Sequence, residues 1–455
     1  MKTALTILSA CMLAGCSVPL IQPDATQQVS DHYSAAGLPR GPALDVNWWS
    51  NLGDVQLTQV LALSQANSPD LRSAAASVIA ARAQAGQSAA NLAPGVNGSA
   101  SATTTAVGFD QRTTTSAALL DASWEVDLFG RTRNAATADA IRARAEEVSY
   151  AGSYVSLAAE VANGYVTYRA CKLAETDYAA ALTSQQDTLS ASRSLVDAGI
   201  SAAADLSLAR ANVASAEITL TSQKADCRVA AQGLARIVGV PQTQIDATLA
   251  KGGGLPGIKA FRVASVPADM LRQRPDVVAA EQQFAASLLD LKVAQAQLYP
   301  SLTLGGNVSL SDPASWSFGP ALSLPILDGG ASRANVRATN AAALIAAETY
   351  RATVLTAVAE VEGALTRLAA ARSNLDSAER LVAQYQDYFD AVDEDWKAGG
   401  ATLLDREDAR RQVQSARITR IIQRQTVLNQ WITLYKAVGG GWVPVAPAAA
   451  PTTES

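Results

Sequence analysis

The chain contains a second copy of itself, about 200 residues downstream. Gly199 to Gly239 aligns without a gap on Gly399 to Gly439. Within that stretch Asp205 pairs with Asp405, Ala209-Arg210 with Ala409-Arg410, Val213 with Val413, and Val238-Gly239 with Val438-Gly439. Upstream, Pro69-Asp70 returns as Pro275-Asp276 and Pro94 as Pro300, both shifted by 206 positions. Gly130 aligns on Gly329, shifted by 199, so a block between Pro300 and Gly329 is expected to be seven residues shorter in the second copy. A twofold repeat of units this long is not a solenoid, whose repeats run ~20–50 residues. It is a duplicated structural module, and each element has to be explained twice.

The N-terminal end carries a targeting signal. Lys2 is followed by a short apolar stretch from Ala4 to Leu13. Leu13-Ala14-Gly15-Cys16 resembles the bacterial lipoprotein cleavage box, with small residues before a cysteine whose thiol takes the lipid. Ser17 rather than Asp follows, which in such lipoproteins implies sorting to the outer membrane. Loss of residues 1–15 removes Lys2, leaving 35 basic residues against 41 acidic ones, a mature charge of −6. That balance argues against nucleic acid as a partner. No mature stretch is apolar for 18 residues, so no bilayer-spanning helix is expected. The single His32 and scattered cysteines fit no common zinc pattern, and no nucleophile motif, phosphate loop or dinucleotide fingerprint is present. No cofactor, no metal and no enzymatic activity are expected.

Each copy follows one plan. Ser68-Pro69-Asp70 is a helix start, with Ser as cap, Pro at the first position and Asp on the positive end of the dipole. The helix runs to about Leu92, and its counterpart runs from Pro275 to about Leu298. Pro94 and Pro300 stop them, and strands follow. Leu302, Leu304, Val308 and Leu310 alternate with polar or small residues, Asp312-Pro313 turns the chain, and Trp316, Phe318, Leu322, Leu324 and Ile326 alternate again. Residues 301–311 are long enough to cross a bilayer, at ~9–11 residues per strand. The first hairpin, from Ser99 to Leu128 with a turn near Gly108 to Arg112, has the same logic in weaker form. Between Gly130 and Gly199, and again between Gly330 and Gly399, there is no proline. One helix over either stretch is ~100 Å long, too long for a compact domain. The return helix repeats every seven residues at Leu206, Val213, Leu220, Cys227 and Leu234, a coiled-coil seam whose small alanines allow close approach.

Cys171 lies 28 residues before Gly199 and Cys227 lies 28 after it. In an antiparallel hairpin turning at Gly199 the two stand level. The second copy has Ala371 and Val427 there, so both cysteines are absent together, and a disulfide between them is expected. One chain supplies four strands, which cannot close a barrel, and an open edge in lipid is costly. The chain must therefore assemble, although closure alone does not choose between two, three or four copies.

Trp48-Trp49, Ser68-Pro69-Asp70, Trp124-Glu125-Val126-Asp127-Leu128-Phe129-Gly130-Arg131, Tyr299-Pro300 and Pro325-Ile326-Leu327-Asp328-Gly329-Gly330 stand where TolC-like outer-membrane factors have their motifs. With the Cys16 box, the chain resembles the NodT-type lipoprotein branch of that family. The resemblance spans nearly all of residues 16–442. It implies a mixed α and β fold: a homotrimer with a 12-stranded transmembrane β-barrel continued by a 12-helix periplasmic coiled-coil tunnel. It implies an exit duct for a tripartite efflux pump, joined through a periplasmic adaptor to an inner-membrane RND transporter. The same duct could serve a type I protein secretion system. An adaptor lipoprotein would carry one helical hairpin, not two.

The expected organisation is a signal peptide over 1–15, a lipid-anchored segment over 16–47 in the outer membrane, a first repeat over 48–250, a linker over 251–265, a second repeat over 266–442 and a tail over 443–455. In the implied duct the helical tips reach toward the inner membrane, so Gly199, Ser201, Asp205, Gly399, Thr402 and Leu404 are the expected adaptor contacts. Asp405 and Asp408 would ring the narrowest point of the channel, and Arg406 and Arg410 would hold it closed through ion pairs. Like charges crowded in such a ring raise one another's pKa values. The alternative for Asp405 is a helix cap. The second tip is shorter than the family's usual one and lacks a second acid before Asp405.

Overall fold

The computed structural model describes residues 49, 52–108, 111–257, 274–310 and 313–440. Cys16, Trp48, the expected linker beyond residue 257 and the tail over 443–455 lie outside the described residues. The first copy contributes α1 (Val55–Asn67), α2 (Pro69–Ala90), β1 (Gly95–Val107), β2 (Gln111–Val126), α3 (Arg131–Asp197), α4 (Ala203–Val238) and α5 (Gln242–Leu249). The second contributes α6 (Pro275–Ala296), β3 (Ser301–Leu310), β4 (Ser315–Ser323), α7 (Ala331–Lys397) and α8 (Leu403–Ala437).

Local chemistry sets the element starts. Asp54 accepts hydrogen bonds from the Gln56 and Leu57 backbone N–H groups at 2.9 and 3.1 Å and opens α1. Ser68 caps α2, and Pro69 and Pro275 occupy first-turn positions of α2 and α6, where a missing N–H costs nothing. Both helices have 22 residues. The sheet runs β1-β2-β3-β4, antiparallel throughout. Its register puts Trp124 opposite Leu304, Leu120 opposite Val308, and Val308 opposite Trp316. One face is therefore apolar across β2, β3 and β4, and Trp316 and Phe318 on it are 78% and 74% exposed. An apolar sheet face left this open is a surface for lipid. The alternation expected through Ile326 stops at Ser323. Pro325 has no N–H for a ladder bond, and Ile326 and Leu327 project free of the sheet.

The motif Trp124 to Arg131 forms the joint between sheet and helices. The Trp124 indole donates to the Leu92 carbonyl at 3.0 Å, and Phe129 stacks on Tyr299 with ring centroids 4.7 Å apart. Arg131 pairs with Glu125, and Asp127 accepts from the Arg133 backbone N–H at 2.9 Å at the start of α3. In the second copy Asp328 accepts from Gly330 and Ser332, both at 2.8 Å. The Ser332 and Gly330 bonds hold its carboxyl down to about 2.

Helices α3 and α7 each run 67 residues without a break. Their caps are Gly130 and Gly330, both left-handed with φ 79° and 90°. The structural counterpart of Gly130 is thus Gly330, not Gly329, and the second copy is shortened by six residues rather than seven. The Asp-Gly-Gly sequence allows either alignment, and the helix start decides between them. By composition α7 has a window apolar enough to cross a bilayer, but the helix packs along α6 and α8. Return helices α4 and α8 lie along α3 and α7, with Leu220, Cys227 and Leu234, and Ala409, Val413, Ala416, Val427 and Leu434, buried in the seams. The largest core lies where α1, α3, α4, α5 and α8 meet, around Leu57, Leu61, Tyr165, Leu234, Ile245 and Ile432. Here Gly239 ends α4 at φ 79°, and a Cβ on it would lie 2.5 Å from the Asn67 carbonyl oxygen.

A disulfide joins Cys171 of α3 to Cys227 of α4, with Cα atoms 5.5 Å apart. The Gln223 amide donates to the Cys171 carbonyl beside it at 3.1 Å. The bond closes a loop 56 residues long, which in the chain-entropy account stabilises the hairpin by about 4 kcal/mol. Replacing Cys171 and Cys227 by Ala should speed amide hydrogen exchange in α4 between residues 203 and 227 and leave α8 unchanged. Equal exchange in α4 with and without the bond would show that packing alone holds the hairpin.

Candidate functional site

The two tips are turned by the same device. Gly199 and Gly399 sit at φ 71° and 82°, where a side chain would be strained. The Ile200 N–H bonds back to the Leu195 carbonyl and the Gly400 N–H to the Asp395 carbonyl, closing the last turns of α3 and α7. Chemistry differs at the next step. In the first tip the Ser201 hydroxyl donates to Asp205 at 2.5 Å. In the second, Thr402 and Asp405 form a reciprocal capping box: the Asp405 N–H donates to Thr402 Oγ1 at 3.1 Å, and Asp405 Oδ2 accepts from the Thr402 N–H at 3.0 Å. Within one protomer the Thr402 bonds hold Asp405 below the usual carboxylate range. Within one protomer the cap thus engages the Asp405 carboxylate. Asp408 lies on an exposed face, paired with Arg411. Leu404 is half exposed, and Ile200 is more so at 74%, an apolar tip residue that the sequence analysis missed.

Arg406 and Arg410 converge on one carboxylate, Glu407, which is only 2% exposed. Arg410 binds Glu407 through Nη2 and donates to Ser184 Oγ at 2.9 Å and Thr188 Oγ1 at 2.6 Å, both on α3. Gln185 Nε2 donates to Glu407 Oε2 at 2.7 Å. Arg406 reaches Thr188 Oγ1 at 3.0 Å, pairs with Asp393 of α7, and lies 4.6 Å over the Trp396 ring. Lys397 also binds Asp393 at 2.7 Å. Burial pushes Asp393 up, but the bonds from Lys397 and Arg406 outweigh it and leave the carboxyl below its ordinary range. Burial also lowers Arg410 against the attraction of Glu407.

The cluster therefore ties α8 of the second copy to α3 of the first and to α7. Its first-copy members, Ser184, Gln185 and Thr188, were not foreseen. They read as ordinary polar positions on a long helix, and only the packing of α8 across the copies gives them a role. Gln185 Oε1 and Arg410 Nε have no hydrogen-bond partner in this buried place. A cluster with unsatisfied atoms is a poor source of stability.

A sequence profile described as "Outer membrane efflux protein" matches residues 60–240 and 266–440. The chain is 29% identical over 463 residues to nodulation protein T of Rhizobium leguminosarum bv. viciae, spanning 99% of this chain and 94% of that protein. It is 30% identical to the pyoverdine export outer membrane protein OpmQ of Pseudomonas aeruginosa, over 96% of this chain and 97% of OpmQ. The outer-membrane channel OprN superimposes with a TM-score of 0.81 at 27% identity, covering 93% of this chain and 99% of OprN. The CmeC outer membrane channel of Campylobacter jejuni gives a TM-score of 0.82 at 22% identity, over 94% of this chain and 95% of CmeC, a likeness of fold. With its paired 67-residue helices and lipid-type sheet, the chain belongs to the outer membrane efflux protein family.

Proposed function

We propose that the chain is the outer-membrane exit duct of a tripartite efflux pump, working as a homotrimer with a periplasmic adaptor and an inner-membrane RND-type transporter. The observation that carries this reading is the join of two elements in each copy. A hairpin of bilayer-spanning length leads directly into a 67-residue helix, ~100 Å long, which reaches far across the periplasm. The duct conducts passively; the pump selects the cargo and supplies the energy. Relatives named for pyoverdine export and for toluene and antibiotic efflux favour small-molecule export over protein secretion. Lipid on Cys16 anchors each protomer, since two or more acyl chains hold a protein at a bilayer stably where one does not. Mass spectrometry of the mature protein should find an N-terminal diacylglyceryl-cysteine at Cys16; an unmodified N-terminus elsewhere would remove the anchor from this account.

The tips meet the adaptor. Cysteines introduced as Ser201→Cys and Thr402→Cys should cross-link to the co-expressed adaptor, whereas one at Phe109→Cys should not. Capture from Phe109→Cys alone would reverse the orientation and with it the whole duct.

The Glu407 cluster keeps the second hairpin drawn against the first and so holds the inner end of the duct narrow. Removing one partner of a buried ion pair costs about 3–5 kcal/mol, enough to shift a two-state tip toward its open form. Glu407→Ala should raise single-channel conductance in planar bilayers, while Asp405→Ala, which loses a cap worth about 1 kcal/mol, should change it little. The pH profile separates this latch from a carboxylate ring at Asp405. Asp393 has its pKa lowered in the fold. Its contribution is complete above the unfolded value of about 3.9 and is lost only as pH falls through the lower folded one. The closed conductance should therefore hold constant from pH 7 to 5. A change in that interval, abolished by Asp405→Ala, would assign the constriction to the ring.

A further inference from the structure

The polar face of the sheet has a pattern of its own. Asn97, Asp121, Asn307 and Ser317 stand directly opposite one another across β1, β2, β3 and β4, forming one level of the sheet. They alternate along their strands with Val96, Leu120, Val308 and Trp316, so they project from the other side. On β3, Asn307 and Ser309 are half-buried while Val308 and Leu310 are exposed, so the polar side is the more sheltered of the two. In a barrel that turns its apolar face to lipid, this level faces the lumen.

Charge is sparse there. The charged residues of the four strands are Arg112, Asp121 and Glu125, all on β2. Arg112 shares the face of Leu120 and lies in the part of β2 that extends beyond β3. Glu125 is neutralised by its pair with Arg131. Asp121 makes no ion pair among the described residues. Its neighbours across the strands are two amides and a hydroxyl, polar groups without charge. The next level toward the helices is Gly95, Ser123, Gly305 and Gly319. Three glycines and a serine place no side chain over the carboxylate, which stands uncovered above a smooth wall. Farther out the same face carries Ser, Thr and Ala, with Leu119 and Val107 among them.

We propose that Asp121 sets the charge preference of the barrel. Its copies around the axis form a collar of fixed negative charge that draws cations into the outer half of the duct and holds anions back. This rests on the homotrimeric duct proposed above and adds a specificity-determining residue to it.

Magnitudes decide where such a collar acts. A 12-stranded barrel with strands ~4.8 Å apart and tilted ~40° has a radius of ~12 Å, which puts each carboxylate ~9 Å from the axis. The Debye length is about 10 Å at 0.1 M salt and about 3 Å at 1 M. At the lower salt the collar reaches across the whole lumen, and at the higher it acts only beside the wall. Low-dielectric barrel walls focus the field and raise the local concentration of counter-ions. The Glu407 cluster lies at the far end of a 67-residue helix, ~100 Å and many Debye lengths away, so the two ends of the duct can be read separately.

The test uses the full-length protein in planar bilayers of zwitterionic lipid. The helical shaft is too long to cross the bilayer, so protein added to one chamber leaves the barrel mouth facing the other. A trivalent lanthanide ion added on the mouth side should lower the single-channel conductance of the wild type at the lower salt. Asp121→Asn keeps the size of the side chain and the polar row, and should need about tenfold more lanthanide for the same block. Asp121→Glu should match the wild type. At the higher salt all three should coincide, and block from the tip side should be the same in each. Asn307→Asp adds a second carboxylate to the row and should be blocked at lower concentration than the wild type. Equal mouth-side block of the wild type and Asp121→Asn at the lower salt overturns the collar and leaves the duct. Should Asp121→Asn fail to insert, an Asn307→Asp channel blocked no more readily than the wild type overturns it equally. A wild-type protein that inserts and conducts no ions overturns the duct itself.

Discussion

A backbone amide inside lipid has no water to fall back on, and this one constraint organises the rest of the molecule. The sheet satisfies its inner strands but leaves the outer edges of β1 and β4 open. Four strands are too few to close on themselves, so both edges await partners from outside the sheet, which is what the proposed homotrimer supplies. In the proposed homotrimer, the helices that follow the strands are carried into a ring without further instruction. The capped joints at Gly130 and Gly330, fixed by Asp127 and Asp328, set the angle at which each helix leaves the membrane.

Away from the membrane the organising term is close helix packing. Alanine at Ala143, Ala145, Ala158, Ala159 and Ala162 of α3, and at Ala343, Ala347, Ala357 and Ala364 of α7, is buried against neighbouring helices. Small side chains bring long helices near one another and favour helix at each position. The price is a thin apolar core, concentrated near Tyr165 and Leu234, while the distal shafts depend on seams of one residue per turn. It is in those thin shafts that the disulfide of one hairpin and the Glu407 cluster of the other appear.

Much of this was legible in the sequence. Pro69 and Pro275 mark helix starts because no other position in a helix tolerates them so well, and two proline-free runs between glycines give the helix lengths. Trp316 and Phe318 alternate with small or polar residues, and the pattern reads as a strand. Counting outward from Gly199 pairs Cys171 with Cys227, because an antiparallel hairpin is symmetric about its turn. What failed has physical reasons too. Two adjacent glycines hid which one caps α7, and Pro325 ended β4 before the alternation did. Asp405 was open to two readings, a ring carboxylate or a cap, and within its own chain its nearest hydrogen-bond donors, in Thr402, lie three residues away. Ser184, Gln185 and Thr188 escaped because a seven-residue period tells which face of a helix is covered, not which third helix covers the next face.

The disulfide also bears on the chain's maturation. Cys227 is 4% exposed within one protomer, in a seam that closes as α4 lies down on α3. Cys171 is only half-buried, so the pair is sheltered mainly by α4, and oxidation is easiest while that hairpin is still open.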